Sequence, residues 1–548
     1  LTFRKTGGGL TAPTQQFTLT YGAVDHLNLA VANSLANDTA WATQPVVTIQ
    51  DADNNTVDVN STVTLTASGA TSVALGGTTS MDAVNGVANF TGKGVKLTGL
   101  AGSKTLTASI AAPSNFSVDA TITLGYGQAT KLALTTDPAG FVNRANFTTQ
   151  PVVTVQDVSG NTVGNSSISI DVSIDSGALT GTTRVRAVNG VATFAGLGKT
   201  GTIGDKVLTF SDTAGQLTTA TKNFTLTHGA AHHTTLAVAS TLVNNTAFAT
   251  QPVVTIYDAD DNVVTTGSQS TQTVTLSATG ATIAGSITMD ARDGVADFAG
   301  KGVKLTGLIG AKTLTATIAS PSTITKSQTV TITYGAATKL AISTDAADAT
   351  NGSQFGTQPV ILVQDVSGNL VANSTVSVTA SVNNGTLDGT DTVAAVGGVA
   401  TFTNLGLTAT AGSKTLTYAS SPLASASQSI LAVTGAPSQL RITVANTLVN
   451  NTAFATQPVV TLLDSTGVVV TVGNYAAQTV TLSSPDATIG GTVSMQSTAG
   501  VADFTGKDVK LTGIAGAHNL TASISSPGSV TATVPVTITF GAAHHLSI

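Results

Sequence analysis

Residues 150–161 read QPVVTVQDVSGN, an apolar run followed at once by a turn signal. In 151–156 the apolar residues predict a buried strand, and proline stands at its start, where no backbone donor is needed. The segment 157–161 is typical of a turn, because Asp157 favours the first corner and Gly160 supplies a positive φ. This stretch therefore predicts a β-fold.

The same strand and turn recur along the chain. Thr-Gln-Pro-Val occurs five times, with its proline at Pro45, Pro151, Pro252, Pro359 and Pro458. Gly-Val-Ala-x-Phe also occurs five times, ending at Phe90, Phe194, Phe298, Phe402 and Phe504. Two unrelated markers at one spacing of about 100 residues indicate tandem repeats of domain size.

The repeats alternate between two types, A and B. Lys-Leu-Thr-Gly marks the A repeats and begins at Lys96, Lys304 and Lys510. Asp-Val-Ser-Gly-Asn marks the B repeats and begins at Asp157 and Asp365. The repeating unit is therefore an A–B pair of 207 residues, the distance from Pro45 to Pro252.

These markers predict the domain boundaries. The predicted domains are A1 (22–126), B1 (127–228), A2 (229–334), B2 (335–434) and A3 (435–540). Residues 1–21 match 208–228 and are interpreted as the C-terminal strands of an incomplete B-type domain. Residues 541–548 are interpreted as the first strand of a further B-type domain. We therefore expect a window of a longer array, or ends that pair with another molecule.

Each repeat carries the pattern of an immunoglobulin-like β-sandwich. About seven short strands fall in about 100 residues, and Val188-Asn189-Gly190-Val191 predicts a type I′ hairpin. Phe194 is predicted to pack in the core. A second aromatic lies four residues before each proline and is predicted to plug one end of the sandwich: Trp41, Phe147, Phe248, Phe355 and Phe454. The predicted fold class is all-β, a tandem array of immunoglobulin-like β-sandwich domains in an alternating A–B pattern.

The composition excludes several classes of protein. Of 548 residues only 9% are charged, every acidic residue is Asp, and there is no Cys. Glu is a good helix former, so its absence argues against a helical bundle. The net charge of −6 argues against a nucleic-acid partner, which would need a basic surface. No apolar run approaches 18 residues, so no membrane span is expected in this window. No catalytic motif occurs, so we expect a non-catalytic protein.

The pattern ATQPVVTVQD…SGN…NGVATF…LTGxxGxKTLT resembles the tandem bacterial immunoglobulin-like (Big/invasin-type) repeats of large secreted surface, S-layer or filament proteins. The resemblance covers essentially all 548 residues. It implies an extracellular or cell-surface structural protein, a semi-rigid rod that assembles into a filament or surface layer. The alternative is the stalk region of a large adhesin, with a binding tip outside this window. Assembly is preferred, because exposed edge strands with few charges favour pairing with neighbouring copies.

Two acidic turns are candidate calcium sites, although no cofactor is required by the pattern. They place oxygen ligands at alternate positions, as calcium loops do: Asp51, Asp53, Asn55, Asp258, Asp260 and Asn262. The rest of such a loop is missing, since Thr56 and Thr62 stand where Gly and Glu are expected. A plain turn is the alternative interpretation.

Asparagines of Asn-x-Ser/Thr sequons recur eight residues before the proline of four repeats. These candidate glycosylation sites are Asn37, Asn244, Asn351 and Asn450. They fall in a loop where a glycan would fit, and a plain polar loop is the alternative. Adjacent histidines occur at 232–233 and 544–545, near domain boundaries. Adjacent side chains of a strand point to opposite faces, so exposed junctions are favoured over metal sites.

Overall fold

The computed structural model describes residues 2, 6–8, 14–320 and 322–543 of the chain. Within these residues it contains 49 strands and no helix. The predicted fold class is therefore confirmed: the chain is an all-β tandem array of immunoglobulin-like sandwiches. Of the two predicted end segments, 1, 3–5, 9–13 and 544–548 lie outside the described residues.

The strands of A1 and B1 are given first, in chain order. Those of 22–126 are β1 His26–Ala30, β2 Ser34–Ala36, β3 Val46–Gln50, β4 Thr62–Ser68, β5 Val73–Gly76, β6 Ser80–Asp82, β7 Val87–Asn89, β8 Lys96–Gly99, β9 Gly102–Ile110 and β10 Phe116–Gly125. Those of 127–228 are β11 Lys131–Thr136, β12 Val152–Gln156, β13 Ser169–Ile174, β14 Ala178–Thr180, β15 Arg184–Arg186, β16 Val191–Thr193, β17 Gly198–Thr200, β18 Gly204–Asp212 and β19 Ala220–Leu226.

The remaining three domains repeat this order. Those of 229–334 are β20 His233–Ala237, β21 Thr241–Val243, β22 Val253–Tyr257, β23 Thr273–Thr279, β24 Thr282–Ala284, β25 Thr288–Asp290, β26 Val295–Asp297, β27 Lys304–Thr306, β28 Gly310–Ile318 and β29 Ile324–Thr333. Those of 335–434 are β30 Lys339–Thr344, β31 Ser353–Gln354, β32 Val360–Gln364, β33 Ser377–Val382, β34 Thr386–Asp388, β35 Thr392–Ala394, β36 Val399–Thr401, β37 Gly406–Thr408, β38 Gly412–Ser420 and β39 Leu423–Ala432. Those of 435–540 are β40 Gln439–Thr443, β41 Thr447–Val449, β42 Val459–Leu463, β43 Thr479–Ser483, β44 Thr488–Gly490, β45 Ser494–Gln496, β46 Val501–Asp503, β47 Lys510–Thr512, β48 Gly516–Ile524 and β49 Val530–Thr539.

By contacts between residues, the chain divides into two compact units. The first comprises 1–233, 256–271 and 292–294, and the second comprises 234–255, 272–291 and 295–548. The first unit thus holds A1, B1 and the turn 258–262 of A2. The second holds most of A2 together with B2 and A3.

Each sandwich pairs a small sheet with a larger one. In A1 the sheets are β1-β3-β7 and β2-β10-β9-β4-β6, with a ribbon β5-β8, and A3 has the same order from β40 to β49. B1 has β11-β12-β16, β15-β13-β18-β19 and the ribbon β14-β17. In B2 the two sheets join through the parallel pair Lys339–Ala424. Residues of both sheets meet in one core per domain in A1, B1, B2 and A3.

The predicted core residues are buried. In B1, Val153 and Val155 point inward from β12 with no exposed surface, and the ring of Phe194 packs edge-on against Phe210 at 5.5 Å. The aromatic before each proline is also buried, with exposures of 2–3%: Trp41, Phe147, Phe248, Phe355 and Phe454. The predicted hairpin is confirmed, since Asn189 and Gly190 have φ of 50° and 77°.

The glutamine of Thr-Gln-Pro-Val has a structural role that the sequence pattern did not suggest. Gln44 Nε2 donates to the carbonyls of Trp41 and Val95 at 2.7 and 3.2 Å, and its Oε1 accepts from the Val95 N–H at 2.7 Å. The side-chain amide thus imitates a backbone strand partner. The same three bonds are made by Gln150, Gln251, Gln358 and Gln457.

Several sheet edges in A1 and B1 are formed by short strands. In A1 and B1 the strands that end the sheets on one side, β6, β7, β15 and β16, have three residues each. Elsewhere in B1 the edges are bridged, because Leu132 N–H donates to the Thr218 carbonyl and Thr218 N–H to the Thr130 carbonyl, at 2.8 and 3.0 Å. Very short edge strands protect a sheet from pairing with other chains.

Phe194→Ala should destabilise B1 by about 3–5 kcal/mol, because it leaves a cavity between the sheets. Hydrogen exchange of the B1 strands in the full chain measures this, with loss of protection expected in β12, β16 and β18. Val188→Ala, at a side chain that is 71% exposed, is the matched control and should change little. Equal effects of the two variants would contradict the assigned core.

Candidate functional site: the interdomain junctions

A buried polar cluster recurs where one sandwich meets the next. It joins the turn after the second long strand of one domain, such as 157–161 after β12, to a loop of the preceding domain. We call the first residue of this turn the junction aspartate. The asparagine eight residues before each repeat proline is called the junction asparagine.

At the A1–B1 boundary, Asn37 reaches from A1 into the B1 turn. Its Nδ2 donates to Asp157 Oδ2 at 2.9 Å and to Ser159 Oγ at 3.0 Å, while its Oδ1 accepts from the Gly99 N–H at 2.8 Å. Asn37 and Asp157 are 1% and 0% exposed. Because β2 ends one residue before Asn37, the A1 sheet fixes where this amide points. A buried carboxylate thus ties two domains together.

A second asparagine, Asn161 of B1, forms hydrogen bonds with the same A1 loop. Asn161 Nδ2 donates to the Gly99 carbonyl at 3.0 Å, and its Oδ1 accepts from the Ala101 N–H at 2.7 Å. Its Nδ2 also donates to Asp157 Oδ2 at 2.8 Å. Like the Gln44 side chain, this amide pairs with the backbone at two points, so it fixes the direction of the loop as well as its distance.

Glycine at the boundary is required by space. Gly127 N–H donates to Asp157 Oδ2 at 2.8 Å, and a Cβ there would lie 2.3 Å from the Asn37 carbonyl oxygen. No other residue fits without moving the backbone of A1. A Cβ at Gly229 or Gly335 would also lie too close to the carbonyl oxygen of the junction asparagine, at 2.7 and 2.6 Å, so these boundaries are also points of close contact between domains.

The cluster recurs at three further boundaries. The junction asparagine Nδ2 donates to the junction aspartate Oδ2 at 2.8, 2.7 and 2.6 Å in the pairs Asn143–Asp258, Asn244–Asp365 and Asn351–Asp464. The second contact, made by Asn161 at the first boundary, also recurs. The side-chain amide of Asn262 pairs with the backbone of Gly201 and Ile203, and that of Asn369 pairs with the backbone of Gly307 and Ile309. In A3 the equivalent residue is Val468, which has no side-chain amide, so of the two contacts this boundary keeps only the one made by the junction asparagine.

Hydrogen bonds hold the pKa of the junction aspartates below its usual range. Burial raises the pKa of Asp258, but hydrogen bonds from the Gly229 N–H, Asn143 and Asn262 outweigh it and lower the pKa to about 2. Asp365 also has its pKa lowered to about 2, burial again being opposed by hydrogen bonds. The pKa of Asp51 is also lowered to about 2, mainly because the Gly22 N–H donates a hydrogen bond to its carboxylate. Donated hydrogens thus balance these buried charges.

The calcium prediction fits this geometry poorly. In the A2 turn, Asp258 accepts from five donors. The carboxylate of Asp260 is paired with the Arg144 guanidinium at 2.8 Å through both oxygens. A protein cation thus stands against the second carboxylate. In the A1 turn, Asp51 accepts from Gly22, Asp53 and Asn55. A calcium ion needs six to eight oxygen ligands. Calcium at Asp51, Asp53, Asn55, Asp258, Asp260 and Asn262 stays a prediction.

Three of the four predicted glycosylation asparagines are buried in a boundary between two described domains. In Asn37, Asn244 and Asn351, Nδ2 donates both hydrogens inside a closed boundary, and at most 2% of each residue is exposed. A glycan on this nitrogen would break the cluster, so the geometry disfavours it. Asn450 is half-buried, and its Oδ1 accepts from the Gly513 N–H at 3.0 Å. Glycosylation at these four sites stays a prediction.

The junction histidines take part in local contacts. His233 stacks on Tyr257 at 5.4 Å, and its Nε2 lies 3.0 Å from Asp261 Oδ1. His228 Nε2 accepts from the Thr266 N–H at 3.1 Å. Among the described residues no group of three His, Cys, Asp or Glu side chains could hold a metal ion. Residues 544 and 545 lie outside the described residues.

The pattern had already contained the signal for the junction. Asparagine stands eight residues before the proline in all five repeats, including Asn143, which has no sequon. The recurring feature is therefore the asparagine and not the sequon. From the sequence, Asn161 is interpreted as a turn residue and its equivalent Asn262 as a candidate calcium ligand, because their partners belong to another domain.

No protein-family model matches the chain, and no curated protein matches it in sequence. Similar solved structures include the protocadherin gamma B4 extracellular domain, with 14% identity over 93% of this chain and 84% of that chain and a TM-score of 0.27. Invasin, a bacterial integrin-binding protein, matches with 16% identity over 74% of this chain and 79% of its own, at a TM-score of 0.25. The Escherichia coli adhesin FdeC matches with 15% identity over 57% and 100%, also at 0.25. Likenesses at this level assign no function.

No helix among the described residues has the length and apolar character needed to cross a membrane.

Acid should loosen the junctions between pH 4 and pH 2. The lowered pKa of Asp258 means that its ionised form contributes stability above the unfolded value of about 3.9, and this is lost as pH falls through about 2. We expect exchange of the Ile203 amide, which donates to Asn262 across the boundary, to speed up in this window. In Asp258→Asn this exchange should be faster at pH 7 and depend less on acid. The prediction would be contradicted if, between pH 4 and pH 2, exchange of the wild-type Ile203 amide changed only as the intrinsic exchange rate of an unprotected amide does.

Proposed function

We propose that this chain is a non-catalytic structural segment of an extracellular, cell-surface protein, in which stiff joints turn the tandem sandwiches into a spacer. The observation that carries the proposal is the buried Asn–Asp cluster, which recurs at four domain boundaries.

The joints differ physically from flexible linkers. At the A1–B1 boundary four hydrogen bonds cross between domains, two from Asn37 and two at Asn161. Each contributes about 1 kcal/mol, and more where a carboxylate accepts. Gly-rich linkers without such contacts behave as random coils. Buried polar contacts at all four boundaries support a role in which the angle between neighbouring domains is held fixed.

The carboxylates of the cluster are poorly suited to catalysis. A general acid or base works best with a pKa near the operating pH. Here the donors around Asp258 and Asp365 move the pKa to about 2, far from neutrality. Their oxygens are also occupied by protein donors, which leaves no place for a reacting group. These features support a structural role.

The extracellular location rests on the resemblance of the repeat pattern to surface-protein repeats. Of the two uses predicted from the sequence, the short and bridged sheet edges of B1 favour the stalk over lateral assembly at that domain, since strand addition needs a free edge. Assembly into a filament or surface layer stays a prediction.

Spin labels can measure the stiffness of the A1–B1 joint, because the chain has no Cys. Labels at S117C and T221C, on exposed faces of β10 and β19, should give a narrow distance distribution in the full chain. The double variant Asn37→Ala with Asn161→Ala should at least double its width. Asn223→Ala, at an exposed asparagine of β19, is the matched control and should leave it unchanged. A wild-type distribution as broad as that of the double variant would rule out a stiff spacer.

Antibodies raised against the folded chain test the location. They should label intact, unpermeabilised cells of the producing organism, and protease added outside should remove the signal. Labelling seen only after permeabilisation would overturn the extracellular assignment.

A further inference from the structure

We infer that each domain end is keyed to the turn that follows it. The key is the residue after the junction asparagine, and the lock is the third residue of the facing turn. The inference deepens the proposed function, on which it rests, because it makes the order of domains a property of these pairs.

The backbone places the key residue in the same way at each boundary. Asp38, Arg144 and Asn245 have φ of 56°, 61° and 60°, and Gly352 has 73°. This left-handed conformation is unfavourable for residues with a Cβ. Its recurrence in four neighbours of a junction asparagine gives every key side chain the same starting direction.

In the A domains the key turns back onto its own domain. Asp38 Oδ1 accepts from Thr98 Oγ at 3.0 Å and pairs with Lys96 at 2.7 Å, and Asn245 accepts from Thr306 at 3.3 Å. The facing turns of B1 and B2 have serine as the third residue. Ser159 and Ser367 accept from the junction asparagine and carry no charge. A neutral lock therefore faces a key that makes no bond across the boundary.

In B1 the key crosses the boundary. Arg144 Nε donates to Asp260 Oδ2 and Nη2 to Asp260 Oδ1, both at 2.8 Å, which is the bidentate geometry of a strong Arg–carboxylate pair. Asp260 is the third residue of the A2 turn and also accepts from Asn143 at 2.8 Å. A cationic key thus meets an anionic lock.

In B2 the key residue is Gly352, which has no side chain. A Cβ on Gly352 would lie 2.8 Å from the methyl carbon of Thr466, the third residue of the A3 turn. Thr466 Oγ accepts from Asn351 at 2.7 Å in place of a carboxylate. Here shape replaces charge. Across the two B-type ends, key and lock therefore change together, Arg with Asp and Gly with Thr.

These pairs exclude other orders. An A-type end with Asp38 set against a turn with Asp260 would bring two carboxylates together. The B1 end set against the A3 turn would drive Arg144 into Thr466. By the same rule, Asp53 in the A1 turn, which matches Asp260, fits a domain end that carries Asn-Arg.

Reversing one charge in the full chain tests the key. Arg144→Asp should accelerate exchange of the Ile203 amide about tenfold or more, since two carboxylates then meet at the boundary. Adding Asp260→Arg should restore protection to within about threefold of wild type. The control swap Arg184→Asp with Asp171→Arg, an ion pair inside B1, should leave Ile203 unchanged.

A transplant tests the lock. Ser159→Asp alone should accelerate exchange of the Ala101 amide, which donates to Asn161, and Asp38→Arg in the same chain should reverse this. Failure of either rescue, or an unaffected Ile203 in Arg144→Asp, would overturn the inference. The proposed function would survive that result if the spin-label distances stayed narrow. Broad distances in the wild type would instead remove both.

Discussion

The organisation of this chain depends on a buried carboxylate that is shared between two domains. An aspartate closed within its own turn would be an ordinary turn residue, stabilised by the N–H groups two and four positions on. Here its second oxygen is turned outward and accepts from the amide of the preceding sandwich. Because a buried charge without donors is costly, the turn is fully satisfied only when the neighbouring domain is in place. Domain folding and domain alignment are thereby coupled.

This coupling suits a chain that has few charges. Only 9% of the residues are charged, and the polar contacts of the structure are made mainly by amides and hydroxyls. Side-chain amides carry a donor and an acceptor together, so Gln44 and Asn161 can each pair with a backbone at two points. The first stabilises a loop within a domain, and the second applies the same chemistry between domains. One kind of hydrogen bonding thus serves both levels of structure.

The sequence predicted what depends on local pattern. The buried strand before Asp157, the Asn189-Gly190 hairpin and the core position of Phe194 all follow from periodicity and turn chemistry, and all are present. The junction was missed because the partners of Asn37 lie about 120 residues further along, beyond any local pattern. The same residues were therefore interpreted by their chemical type, Asn37 as a glycan acceptor and Asp258 as a calcium ligand. Both side chains are buried between domains, where they have protein partners.

The glycine at each boundary has a consequence for how such an array can change in evolution. Gly127 touches the carbonyl of Asn37, so the partners of one joint are contributed from both sides of the boundary. Duplicating a whole A–B pair of 207 residues keeps every A-type end against a B-type turn and every B-type end against an A-type turn. Losing a single domain would instead set ends and turns of one type together, such as an end with Asp38 against a turn with Asp260. Genes for arrays built in this way should therefore lengthen and shorten by two domains at a time.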